Sequence, residues 1–268
     1  MQKAIRWCLL ILICGVLLFS GFKLGSILWE YHEGTKSYLD VSDRVMKKSQ
    51  GETPAQTAAD VQEPLQPAAP QAQDEATPAE TLTAPIEIDF DELLHSYPNA
   101  VGWLYNEGTR INYPVMQAKD NDYYLYRLPD GKSNGAGSLF LDCDDSPDFS
   151  DSLSVIFGHN MKNGSMFASL LKYREKGYYE QHPQMWLLTP NGTKRLDLFA
   201  GCTTDGYKVA ELMKTTPQDM QGVIDWAIAN SSFKSDVEVS PEDRVIVLST
   251  CSYSYDDARY IVLAKIVQ

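Results

Sequence analysis

The chain has 268 residues, 44% of them apolar, enough for one globular domain plus additional segments. Its net charge of −13 is uneven: residues 86–268 hold 16 bases against 26 acids. Nucleic acid is excluded as an expected partner, because phosphate binding needs clustered positive charge.

Lys3 and Arg6 precede an apolar run from Trp7 to Trp29, 23 residues broken only near its end by Lys23. A bilayer-spanning helix needs about 20 residues. The positive flank favours an N-terminus left in the cytoplasm, and no A-x-A cleavage site follows. Residues 1–30 therefore read as a cytoplasmic tip and an uncleaved signal anchor, with a cleaved signal peptide as the rival. The expected location is the cell membrane, single-pass, with the remainder extracellular.

Residues 31–50 are polar with scattered apolar positions and suit a juxtamembrane helix. From 51 to 85 the composition shifts to nine Ala and six Pro with no aromatic residue. Such a stretch buries too little apolar surface to offset chain entropy and is expected to be a disordered extracellular spacer. It would hold the folded part away from the membrane.

Residues 86–268 are expected to fold. Asp89 is placed to cap a short helix reaching Tyr97. β-type runs follow at Ala100–Tyr105, Ile111–Met116, Ser138–Asp142, Leu153–Phe157, Met185–Thr189, Leu196–Cys202, Arg244–Thr250 and Tyr260–Val267. Apolar spacing predicts helices over Ser165–Lys176 and Pro217–Ala229. Eight strands with few helices point to a mainly β chain and a closed or nearly closed barrel. Tyr123, Tyr124 and Tyr126 are expected to pack against it. The acidic stretch at Asp142, Asp144, Asp145, Asp148 and Asp151 reads as a solvated loop, since it lacks the spacing and terminal Glu of an EF-hand, with a Ca²⁺ site as the alternative.

Of five cysteines, Cys8 and Cys14 fall in the apolar run, leaving Cys143, Cys202 and Cys251 in the exported part. Three cannot pair completely within one chain, so at least one free thiol remains. Cys143 and Cys202 read as core or strand thiols. No Cys/His cluster has zinc spacing.

Cys251 follows the β-branched run Arg244-Val-Ile-Val-Leu-Ser-Thr250, so its thiol sits where an interior strand emerges. Arg259 opens the next strand. If the two strands pair, the guanidinium lies at the same end as the thiol, where it would favour the thiolate and a developing oxyanion. His159 leaves the strand Leu153–Phe157, and imidazole titrates in the range needed to move the thiol proton. Taken singly, each has a bland reading: a small core cysteine, a loop histidine, a surface arginine. Asp256 and Asp257 read as a polar loop tip, with the orienting of His159 or Arg259 as the alternative.

Val247-Leu-Ser-Thr-Cys251 followed by Arg259, with Phe157-Gly-His-Asn160 upstream, resembles the signature set of sortases. Val247 stands where the family pattern Thr-Leu-x-Thr-Cys has Thr. Val101-Gly-Trp-Leu104, Asn112-Tyr-Pro-Val-Met-Gln117 and Gly158-His-Asn-Met-Lys-Asn-Gly-Ser-Met-Phe167 resemble class B members. The resemblance implies an eight-stranded sortase-type β-barrel with peripheral helices. It also implies a cysteine transpeptidase with Cys251 as nucleophile, His159 as general acid/base and Arg259 as the oxyanion-side cation. Thr250, Ser252 and Asn160 would contact substrate, with the backbone N–H of Cys251 or Ser252 helping to hold the oxyanion. The resemblance implies neither metal nor cofactor.

The implied substrates are secreted proteins with a C-terminal sorting signal, Asn-Pro-x-Thr-Asn-like or Pro-x-Thr-Gly-like. The implied acceptor is a peptidoglycan amine, from stem or cross-bridge, or a pilin lysine. The rival readings are a papain-like cell-wall peptidase, which usually places Cys at a helix start ahead of its His, and a non-catalytic surface-display module.

Overall fold

A computed structural model describes residues 2–48, 83–252 and 254–267. The first helix, α1, runs unbroken from Gln2 to Val45. It is long and apolar enough to cross a membrane, and its apolar side chains, among them Phe19, Phe22 and Leu28, are exposed. Beyond Trp29 the same helix docks on the folded domain. Glu30 accepts from the Gly135 N–H at 2.6 Å, and its carbonyl accepts from Asn134 Nδ2 at 3.0 Å. Tyr38, Val41 and Val45 are buried.

A short strand β1 (Met46–Lys48) continues from α1 and pairs antiparallel with β2 (Ile86–Ile88), Met46 opposite Ile88 and Lys48 opposite Ile86. Residues 31–45 are helical, as expected of the juxtamembrane segment, and they pack on the folded domain through Tyr38, Val41 and Val45. The expected spacer lies, apart from residues 83–85, outside the described residues, yet the chain leaves at Lys48 and re-enters beside it.

After β2, Asp89 caps α2 (Phe90–Ser96), its carboxylate accepting from the Glu92 N–H at 3.1 Å. Eight strands then close a barrel: β3 (Ala100–Tyr105), β4 (Asn112–Met116), β5 (Leu139–Leu141), β6 (Leu153–Phe157), β7 (Gln184–Thr189), β8 (Gly192–Asp205), β9 (Val245–Cys251) and β10 (Ala258–Val267), in the order β10-β8-β7-β3-β4-β5-β6-β9. The pairs β4–β5 and β6–β9 are parallel and the rest antiparallel.

Side chains of period 2 divide each strand between two apolar layers. Leu104, Leu139, Ile156, Leu198, Leu248 and Val262 fill the barrel. The opposite faces of β6, β9 and β10 carry Val155, Val247, Ile261 and Leu263, covered by α4 (Gly206–Leu212) and α5 (Met220–Ala229). A third cluster joins Val41, Val45 and Leu93 of α1 and α2 to Trp103, Met116, Phe140 and Trp186.

Some expected elements differ in kind. The run expected as a helix from Ser165 is a 3-10 helix, Phe167–Arg174, starting after Met166 in the left-handed region (φ 55°). The Pro217 helix begins as a 3-10 turn held by a Thr216/Asp219 capping box and becomes α-helical at Met220. α4, capped by Asp205, and α3 (Tyr178–Gln181) were not expected. Tyr124 is buried as expected, but Tyr123 and Tyr126 are exposed. Asp142 is buried, in a stretch expected to be solvated.

Candidate active site

Three neighbouring strands, β6, β9 and β10, bring Cys251, His159 and Arg259 to one end of the barrel. Arg259 is the register partner of Cys251. The Ser252 N–H donates to Ala258 O at 2.8 Å, which makes Cys251–Arg259 a non-hydrogen-bonded pair, the kind whose side chains approach most closely. That ladder leaves the Cys251 N–H unused. On the other side, Phe157 is level with Ser249 in the parallel β6–β9 pair, and Gly158 N donates to Ser249 O at 3.1 Å. Two residues on, His159 is therefore level with Cys251. The parity of Val247, Ser249 and Cys251 places the thiol on the outer face of the barrel, beyond the apolar layer under α5.

Gly158 is required where the chain leaves β6. A Cβ there would overlap Leu139 and stand 2.7 Å from the Phe167 ring. Without one, the backbone packs down and His159 follows at a set angle. His159 Nε2 is 2.7 Å from Leu125 O. A carbonyl only accepts, so in the neutral ring Nε2 carries the proton and Nδ1 the lone pair. Tyr126 lies against the same ring at 5.6 Å between centroids. Asn160 Nδ2 donates to Cys251 O at 3.1 Å and ties the histidine loop to the cysteine strand.

Arg259 is held by its own turn. It pairs with Asp257 at 2.8 Å and donates to Asp257 O and Ala258 O. Asp257 sits at φ 56° and also accepts from Gly206 N at 3.1 Å, linking Arg259 to the start of α4. The polar-tip reading holds for Asp256, whereas Asp257 takes the alternative role of orienting Arg259.

A cavity of about 220 Å³ is lined by His159, Thr250, Cys251 and Arg259 together with Asn121, Leu125, Phe140, Gly158, Phe157 and Ser249. Its apolar wall includes the stacked Phe140 and Phe157 rings, 5.3 Å apart. Thr250 Oγ1 is buried without a hydrogen-bond partner. A buried hydroxyl in that state carries a desolvation cost that a bound ligand would relieve. Ser252 and Asn160 are not among the lining residues. The Ser252 N–H donates to Ala258 O at 2.8 Å, and its hydroxyl pairs with the Ser254 hydroxyl at 2.8 Å. Leu125 and Phe140 were missed by sequence reasoning. Leu125 acts through its carbonyl, for which no residue-type signal exists.

The other described thiols have different surroundings. Burial pushes Cys202 up to about 12, and its Sγ donates to Ala227 O at 3.3 Å, so it stays protonated inside the core. Cys143 lies in the turn after β5, half-buried, rather than in a strand or core. Burial and then Asp144 and Asp142 hold its thiol above the usual range.

Residues 104–267 match the sortase domain family. Sortase B of Listeria monocytogenes is 32% identical over 264 residues, covering 97% of this chain and 95% of that protein. A Bacillus anthracis sortase B structure in complex with AAEK1 superposes with a TM-score of 0.69 at 26% identity, over 90% of this chain and all of that one. A Staphylococcus aureus sortase B–substrate complex gives 0.62 at 30% identity, over 67% of this chain and 84% of that one. With barrel, thiol, imidazole and guanidinium arranged as described, this agreement along nearly the whole length makes the chain a member of the sortase family, of class B.

Proposed function

We propose that this sortase transpeptidase cleaves a C-terminal sorting signal of Asn-Pro-x-Thr-Asn or Pro-x-Thr-Gly type after its Thr. It then joins the released carboxyl group to an amine of peptidoglycan or of a pilin. The observation that carries the reading is the alignment of Cys251, His159 and Arg259 across three adjacent strands on one cavity. The S. aureus sortase B solved as a substrate complex lends support to a substrate-binding role for this fold.

In the first half-reaction Cys251 Sγ attacks the Thr carbonyl carbon while its proton passes to His159. The developing oxyanion meets the Arg259 guanidinium and the free Cys251 N–H. Collapse breaks the C–N bond, His159 returns the proton to the departing amine, and a thioester remains on Cys251. An acceptor amine then attacks that thioester and loses a proton to His159. Cys251 leaves as a thiolate and is reprotonated.

The Thr250 hydroxyl supplies a polar contact inside the cavity, and the Phe140–Phe157 wall takes an apolar side chain of the signal. Arg259 would have to exchange its contacts within the 257–259 turn for substrate. The apolar part of α1 anchors the enzyme in the membrane, N-terminus inside and barrel outside.

Mass spectrometry of the chain incubated with a library of sorting-signal peptides tests this directly. An acyl adduct on Cys251, with one signal class enriched, is the expected result. An adduct on any other residue, or none with any peptide, overturns the assignment.

A further inference from the structure

The turn that follows β5 holds three potential ligands close together. Asp142, Cys143 and Asp144 each offer a donor atom, all within 4.8 Å of one another. Asp142 is only 1% exposed. Its Oδ1 accepts from Asn121 Nδ2 at 2.9 Å and from the Asp144 N–H at 3.3 Å. Its Oδ2 is buried and has no hydrogen-bond partner, and among the described residues no Lys, Arg or His forms an ion pair with Asp142. Only the Cys143 thiol, a weak donor, leans on that carboxylate. A buried carboxylate with no cation and only a weak thiol donor at its second oxygen is costly, and a metal ion is a common way of relieving that cost.

The frame around the turn is already rigid. Gln117 Nε2 donates to Asp142 O at 2.8 Å and to Asp145 O at 2.7 Å. The Cys143 N–H donates to Asn121 Oδ1 at 2.9 Å, and the Asp142 N–H to Val155 O at 2.9 Å. Two of the three donors therefore need little reorganisation. Asp144, the exposed member, supplies the remaining adjustment. Ligands of a tetrahedral ion at bond lengths near 2.0–2.3 Å stand roughly 3.5 Å apart, so closure by about an ångström is enough.

We propose that Asp142, Cys143 and Asp144 form a binding site for a borderline-soft divalent cation of the Zn²⁺ type, with water completing the coordination. The thiol decides the class. Ca²⁺ and Mg²⁺ take oxygen ligands, whereas thiolate with carboxylate suits Zn²⁺ or Co²⁺. Binding replaces the Cys143 proton by the metal, so one proton leaves for each ion bound. Asn121 hydrogen-bonds the turn on one side and lines the substrate cavity on the other. Occupancy of the site therefore fixes part of the cavity rim.

The full chain in detergent micelles, carrying Cys251→Ala so that the Cys–His pair cannot compete for metal, is titrated with Zn²⁺ and, separately, with Co²⁺ and Ca²⁺. The expected result is one Zn²⁺ per chain with proton release, a thiolate-to-metal charge-transfer absorption with Co²⁺, and a melting temperature raised by roughly 5–10 °C at 100-fold excess over Kd. Cys143→Ser abolishes the absorption and weakens binding at least tenfold, and Asp142→Asn weakens it by a similar factor. Absence of Zn²⁺ binding, binding and absorption that survive Cys143→Ser, or a preference for Ca²⁺ would each overturn the site.

Discussion

Starting the chain at residue 84 removes α1 and β1 and strips the cover from one side of the barrel. Val41 and Val45 are each 1% exposed and Tyr38 is 7% exposed. Burying a side chain of this size contributes about 1.5–3 kcal/mol. Tyr38 adds a hydrogen bond to Ser138 Oγ and an edge contact with Tyr113 at 5.0 Å, and the β1–β2 ladder and the Asp89 N–H to Val45 O bond are lost as well. Burial of the three side chains alone comes to about 4.5–9 kcal/mol, of the same order as the roughly 5–15 kcal/mol that holds a typical domain together.

Urea unfolding of chains beginning at residue 31 and at residue 84 measures this directly. The longer form is expected to unfold cooperatively, and the shorter to be unfolded or to melt at a much lower midpoint. Val41→Ala and Val45→Ala in the longer form should each cost about 1–2 kcal/mol, less than additively, because they lie one helical turn apart. Equal midpoints for the two chains would refute the docking of α1 as a stabilising contact.

Cys251→Ala should abolish the acyl adduct in peptide-cleavage assays, whereas Cys202→Ala should keep activity while lowering the melting temperature, since its thiol is fully buried. Arg259→Lys should reduce kcat about 100-fold, because a point charge does not reproduce the planar fork that spans turn and oxyanion. A rate near that of the unaltered enzyme would return Arg259 to the role of a surface residue. Gly158→Ala should destabilise the fold by about 1–3 kcal/mol through overpacking against Leu139 and Phe167, and should cost more activity than stability by shifting His159. Parallel melting and turnover measurements separate the two effects.

Much of the barrel was legible because its strands are written in β-branched and aromatic runs. Leu153–Phe157 has the predicted limits, and β9 and β10 lie within two residues of theirs. The convergence of Cys251 with His159 was not legible, since it depends on the parallel pairing of β6 and β9, some 90 residues apart in the chain, and no local pattern encodes a partner strand. β1 was invisible for a related reason: three residues, two of them lysine, acquire strand character only through β2. The 3-10 form of Phe167–Arg174 follows from tertiary packing of Phe167, Leu170 and Tyr173, whose spacing suits either kind of helix. Within the cavity, side-chain chemistry singled out Cys251, His159 and Arg259, whereas the Leu125 carbonyl belongs to the backbone and has no sequence signature.

The antiparallel contact of Met46–Lys48 with Ile86–Ile88 has a geometric corollary. With the apolar part of α1 in a bilayer, as proposed, the offset between lipid surface and folded domain is set by the helix itself, which is already held by Asn134 and Gly135 at Glu30, one residue after Trp29. Inserting or deleting residues between 49 and 82 leaves that offset unchanged. The enzyme then works at a constant standoff, and substrates must bring their signals down to it.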